Sequence, residues 1–142
     1  SLAQAQHFAE ELTGQYRTPR PPLPAIAITD PGHLSCVAND YGYDQVFARF
    51  VQAHARAGDV LLCLSTSGNS PNILRAAEQA DRQQVTIIGL TGRDGGRLAR
   101  LCDLEIRVAV DHFSDRIQEV HQVCLHAIIN GIEHVMFPEA AR

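Results

Sequence analysis

The chain has 142 residues, room for one domain with its own core, and at 45% apolar and 20% charged it is neither disordered nor fibrous. A net charge of −4 with no basic block argues against a nucleic-acid surface. No apolar run nears the roughly 20 residues of a membrane helix and no signal segment opens the chain, so a cytoplasmic protein without a membrane or nucleic-acid partner is expected.

In chain order, "SLAQAQHFAEELTGQY" is helical from the first residue, with no strand before it. "PAIAI" (Pro24–Ile28) reads as a short buried strand behind the proline-rich loop "TPRPPLP". Asn39-Asp40, after "LSCVA", reads as a polar turn. "YDQVFARFVQAHARAGD" has helical spacing and a glycine stop at Gly58. "VLLCL" and "VTIIGLT" are continuous apolar runs of strand length, with the helical "NILRAAEQADRQ" between them. "GGRLARLC" predicts a short helix and "LEIRVAV" a further strand. A long helix over Asp115 to Phe137 closes the chain, with Asp115 as a first-turn carboxylate. Strands apolar throughout are covered on both faces, so the alternation predicts a single α/β domain over 1–142, a three-layer α/β/α sandwich with a parallel sheet.

Between the first apolar run and its helix stands "STSGNSP". Ligands of open parallel sheets bind beyond the carboxyl ends of the strands, where this loop lies. Ser70 suits an N-cap and Pro71 the first helical position. The helix start offers N–H groups, Gly68 admits close approach of a ligand, and Ser65, Thr66, Ser67 and Ser70 offer hydroxyls. All 12 basic residues are arginine, which excludes a lysine Schiff base and any Walker-type loop. Neutral donors suit a phosphate monoester, although a well-capped turn with incidental serines has the same composition. "GLTGRDGG" matches no dinucleotide-binding register and reads as turn chemistry. The four cysteines, Cys36, Cys63, Cys102 and Cys124, lack C-x-x-C spacing and read as reduced thiols.

His7 and Glu11 are four apart and share a helix face, as a solvated surface pair also would. Gln118, Gln122 and His126 form a polar stripe on the closing helix. His126 stands within "VCLHAII", where an imidazole needs a partner, be it a ligand or a backbone carbonyl.

"STSGNS" after a buried strand and "GLTGRDGG" after the next resemble the SIS (sugar isomerase) domain family, which has a flavodoxin-like fold. With "AQHFAEELTGQYR", "PAIAITD", "CVANDYG" and "DRIQEVH", the likeness runs nearly end to end and points to the bacterial phosphoheptose isomerases. It implies conversion of sedoheptulose 7-phosphate to D-glycero-D-manno-heptose 7-phosphate through an enediol, the first step toward ADP-heptose for lipopolysaccharide. It implies Glu11 and His126 as general base and acid, and His7, Glu11, Gln118 and His126 as ligands of a zinc ion. Gln118 and His126 lie about 12 Å apart along a helix, so one ion could reach both only if they lean together. It also assigns Ser65, Thr66, Ser67 and Ser70 to the sugar phosphate, and Asn39, Asp40 and Gln118 to its hydroxyls or carbonyl. A homotetramer with sites shared between subunits is implied as well. Family members carry an N-terminal helix, a strand and a "GNGGS" loop that these residues lack, so the natural chain is expected to continue upstream of Ser1. The alternative is a related non-catalytic SIS regulator that binds the replication initiator DnaA. That relative lacks the glutamate and histidine present here as Glu11 and His126.

Overall fold

The computed structural model describes residues 1–139 in two compact units, Thr29–Ile117 and the two chain ends, Ser1–Ile28 with the segment from Gln118 onward. The central unit holds a parallel sheet of β1 (Val60–Ser65), β2 (Thr86–Gly92) and β3 (Leu104–Val108) in that order. Its register runs Val60 against Thr86 to Ser65 against Thr91, then Ile88 against Leu104 to Gly92 against Val108. The strands therefore finish together, and the loops after β1 and β2 leave the same edge of the sheet.

Helix α4 (Pro71–Arg82) makes the crossover between β1 and β2 that a parallel pair requires. It buries Leu74, Ala76, Ala77 and Ala80, a small-residue face that brings its backbone close to its neighbours. Helix α3 (Val46–His54) packs on α4 through Val46, Ala48 and Val51, after a single 3-10 turn at Tyr43–Gln45. A second 3-10 turn at Leu98–Arg100 links β2 to β3 and carries the fully buried Leu98. Ile87 and Leu90 fill the sheet, each buried aliphatic side chain contributing about 1.5–3 kcal/mol.

Helix α2 (Pro31–Tyr41) occupies the stretch read as a polar turn. Its start was written in local chemistry: the Asp30 carboxylate accepts from the His33 N–H at 2.7 Å, and Pro31 takes the first turn. Gly42 ends it at φ +94°. Asn39 and Asp40 thus lie in a last helical turn, with Asn39 Nδ2 donating to Asp40 Oδ1.

The other unit pairs α1 (Leu2–Thr13) with the body of α5 (Ser114–Met136), which buries His121, Leu125 and Ile129. Pro24–Ile28 forms no strand here. The segment is irregular, with a bend at Ile28, no strand pairs with it among the described residues, and Ile26 is 74% exposed. An apolar run becomes a strand only when a neighbour completes its ladder. No described helix is long and apolar enough to cross a membrane.

Candidate functional site

In the central unit, the loop after β1 is shaped by its own hydrogen bonds and by the loop after β2. Gly68 N–H donates to Ser65 O at 3.1 Å and closes a turn, and Gly68 takes φ +62°. Asn69 staples Ser67 twice: its N–H donates to Ser67 Oγ at 3.1 Å and its Nδ2 to Ser67 O at 2.9 Å. The Arg97 N–H donates to Asn69 Oδ1, and the Leu98 N–H to Gly68 O at 2.9 Å. Asn69 was not singled out by sequence, although an Asn beside a turn glycine in "SGN" is a recognisable signal.

"GLTGRDGG" is accordingly more than turn chemistry, because it braces the serine loop by backbone contact. A Cβ on Gly96 would stand 2.5 Å from Ser67 O, and one on Gly68 would overlap the Gly95 carbonyl. Behind that turn, buried Thr91 donates to Glu105 Oε1 at 2.5 Å, and Arg107 forks onto both Glu105 oxygens. The Arg107 hydrogen bonds, foremost, hold the Glu105 carboxyl below its ordinary value of 4.5, with help from Thr91 and against desolvation.

Ser65 is buried, and its hydroxyl lies 3.2 Å from that of Ser70. Ser70 occupies the N-cap of α4 yet makes no side-chain cap hydrogen bond, so its hydroxyl stays turned toward the loop. Thr66 Oγ1 donates to Ser114 Oγ at 3.2 Å. A cleft of about 530 Å³ opens beside this loop, lined by Ser67, Asn69, Arg93, Asp94 and Asp111 among others. The loop thus gathers hydroxyls at a helix start, groups that can donate to a small anion, while the cleft beside it sets the Arg93 guanidinium against the carboxylates of Asp94 and Asp111.

In the other unit, α1 and α5 bring His7, Glu11 and His126 together from opposite ends of the sequence. Each offers a ligand atom, and these atoms lie within 4.8 Å of one another. His126 Nε2 is 3.4 Å from His7 Nε2 and 3.4 Å from Glu11 Oε2, and His7 Nε2 is 3.3 Å from Glu11 Oε1. Glu11 Oε2 is buried without a hydrogen-bond partner. Two imidazole nitrogens and a carboxylate oxygen this close together, with Glu11 Oε2 lacking a donor, make a group that could hold a metal cation. His126 thus stands as a third neighbour beside the pair His7 and Glu11, which spacing along one helix does not give.

Gln122, one turn before His126, stands beside it with Nε2 3.1 Å from His126 Nε2. An amide turned about its last bond presents oxygen in place of nitrogen. Gln118 meets α1 through its backbone, its carbonyl accepting from Gln4 Nε2 at 2.8 Å. The Tyr16 ring, also unanticipated, lies 5.8 Å from that of His126. Asp115 is exposed near the start of α5 and accepts from the Arg116 N–H, in keeping with a first-turn carboxylate.

Comparison with known proteins gives these geometries a family. The sequence model described as "SIS domain" matches residues 1–92. The phosphoheptose isomerase of Fusobacterium nucleatum is 50% identical over 139 residues, 98% of this chain and 71% of that protein. That of Vibrio cholerae is 58% identical over 136 residues, 96% of this chain and 71% of the relative. Among solved structures, the phosphoheptose isomerase of Neisseria gonorrhoeae superposes with a TM-score of 0.86 at 43% identity, covering 93% of this chain and 70% of that one. The enzyme from Francisella tularensis gives 0.83 at 42% identity, covering 90% and 70%. The relatives' shared name does not favour the non-catalytic regulator. The α/β architecture, the serine-rich loop after β1 and these likenesses agree, and the chain belongs to the SIS domain family, within the phosphoheptose isomerases.

Proposed function

We propose that the chain isomerises sedoheptulose 7-phosphate to D-glycero-D-manno-heptose 7-phosphate, using the carboxylate of Glu11 and the imidazole of His126. The observation that carries this reading is the meeting of these groups, 3.4 Å apart, in a protein half or more identical to phosphoheptose isomerases. Converting a ketose to an aldose moves hydrogen between neighbouring carbons. Glu11 takes a proton from C1 while protonated His126 gives one to the C2 carbonyl oxygen, which leaves an enediol. The O1 hydroxyl then returns a proton to the imidazole as the C1 carbonyl forms, and Glu11 delivers its proton to C2. Both groups end as they began.

The hydroxyls of Ser65, Thr66, Ser67 and Ser70 would hold the phosphate. Asn39, Asp40 and Gln118 would orient the sugar hydroxyls and carbonyl. Zinc is the ion we assign to His7, Glu11 and His126, with Gln118 from the family likeness and neighbouring Gln122 as amide candidates. The chemistry zinc supplies when bound is polarisation of a carbonyl oxygen. His126 would use Nε2 both as ligand and as acid, so the two roles compete unless Nδ1 serves one of them. A homotetramer with shared sites is supported by the exposed Val120 and by Val123, 67% exposed, on α5. The product would enter ADP-heptose synthesis for lipopolysaccharide, in the cytoplasm.

Turnover of sedoheptulose 7-phosphate by wild type, Glu11→Gln and His126→Ala tests the assignment. Loss of about 10²-fold or more is expected in each variant. Wild-type turnover in either one removes that residue's role. Elemental analysis of protein prepared without chelator, with and without His7→Ala, tests the zinc, and metal-free protein would reject the ligand set.

A further inference from the structure

We infer that Arg20 is a positioning residue, fixing the backbone that carries Glu11 against the helix that carries His126 through a buried ion pair with Glu133. The inference rests on the acid/base reading above.

Arg20 lies in the proline-rich loop after α1, where no periodicity marks it. Its side chain is 1% exposed and that of Glu133 5%. The guanidinium spends its donors on four acceptors. Nε donates to Glu133 Oε1 at 2.7 Å, Nη2 to the main-chain oxygen of Glu11 at 2.5 Å, and Nη1 to those of Leu12 at 2.7 Å and Pro21 at 3.2 Å. The Glu11 and Leu12 carbonyls belong to the last turn of α1, which ends at Thr13, so no later turn of the helix can satisfy them. A cation there also opposes the partial negative charge of the helix end.

Glu133 lies seven residues beyond His126 on α5, two turns along roughly the same face. One planar fork thus joins the peptide of the proposed base to the helix of the proposed acid. The ion pair by itself does not call for charges at this position, because a buried pair replaced by apolar side chains of similar size often costs nothing; what an apolar side chain cannot replace is the set of donors to the main-chain carbonyls. A guanidinium adds direction, since its donors hold their acceptors in one plane at fixed angles. For a carboxylate and an imidazole that must both reach adjacent atoms of one sugar, direction sets the rate.

The test separates position from stability. In the double variant Arg20→Met/Glu133→Met, the melting temperature is expected to fall by several degrees, because the Glu11 carbonyl at the end of α1 loses this donor, so the deciding readout is the kinetics of the folded protein. Its kcat should fall about tenfold to a hundredfold, because the carboxylate is free to drift by something like 1 Å. KM for sedoheptulose 7-phosphate should hold within about twofold, since the phosphate contacts are untouched. Arg20→Lys, which keeps the charge but loses the fork, should recover only part of kcat. A double variant that folds and turns over like wild type would falsify the inference. If the double variant does not fold, Glu133→Gln decides: lower kcat at constant KM supports positioning, and unchanged kcat overturns it. Wild-type turnover in Glu11→Gln would instead sink the acid/base reading, whatever Arg20 does.

Discussion

The brace between the two glycine-bearing loops makes a sharp quantitative prediction at Gly68. Replacing it by alanine puts a Cβ on a residue at φ +62°, which costs about 1–2 kcal/mol for an L side chain. That Cβ would also overlap the Gly95 carbonyl oxygen and stand 2.5 Å from its carbon, and neither is a flexible side-chain end that could swing away. The loops must separate, so the bonds from Leu98 N–H to Gly68 O and from Arg97 N–H to Asn69 Oδ1 are lost or stretched. At about 1 kcal/mol each, they bring the total to about 3–4 kcal/mol. For a chain of this size that lowers the melting temperature by about 10 °C or somewhat more. Gly58→Ala is the control. Its φ of +95° also strains an L side chain, but nothing lies within 4 Å of its Cβ, so it carries a backbone cost without a clash and should melt less far below wild type than the Gly68 variant. Paired thermal melts, with KM for sedoheptulose 7-phosphate measured on both, separate clash from conformation. The Gly68 variant should also raise KM, because Ser67 shifts with the loop. If Gly68→Ala melts no lower than Gly58→Ala and keeps its KM, the second loop does not hold the first.

Acid should weaken the same brace from behind. Arg107 holds the Glu105 carboxyl below 4.5, so the stability that this pair contributes is present above that value and is lost as the pH falls through the folded-state pKa. Arg107→Met should therefore destabilise at neutral pH and converge with wild type well below 4.5; urea melts showing a gap that persists or widens in acid would refute this. Thiol chemistry should follow burial. Burial, foremost, pushes Cys63 up to about 12 and Cys102 up to about 11, whereas Cys36 is exposed. Alkylation of the native protein followed by mass spectrometry should label Cys36 first and Cys63 only after unfolding; equal rates at the two would contradict the described core.

Sequence by itself determined the elements whose signals are local. Val60–Leu64 is apolar without interruption, the six residues after it are small or polar, and Pro71 starts a helix, so strand, loop and helix could be placed nearly to the residue. The same holds for β2, β3 and the long final helix. Helix α2 was equally legible, since Asp30-Pro31 marks its start and Gly42 its stop, but weak apolar spacing hid it behind the polar pair Asn39-Asp40. The serine loop and its likeness to a family of sugar phosphate isomerases were legible because the loop and the helix start behind it are built from contiguous residues.

Tertiary structure alone decided everything that joins distant segments. His7 and His126 lie 119 positions apart, and only the packing of α1 on α5 brings their ring nitrogens to 3.4 Å. The same packing set Gln122 beside the cluster, which spacing along one helix cannot distinguish from Gln118. Pro24–Ile28 has the composition of a strand but lacks a ladder, because pairing belongs to two segments and not to one. Arg20 is the clearest case. In a proline-rich loop no periodicity marks it, yet its guanidinium is buried on carbonyls of α1 and a carboxylate of α5. A pattern along the chain records which face a residue prefers. The partner waiting at that face is set by three-dimensional closure.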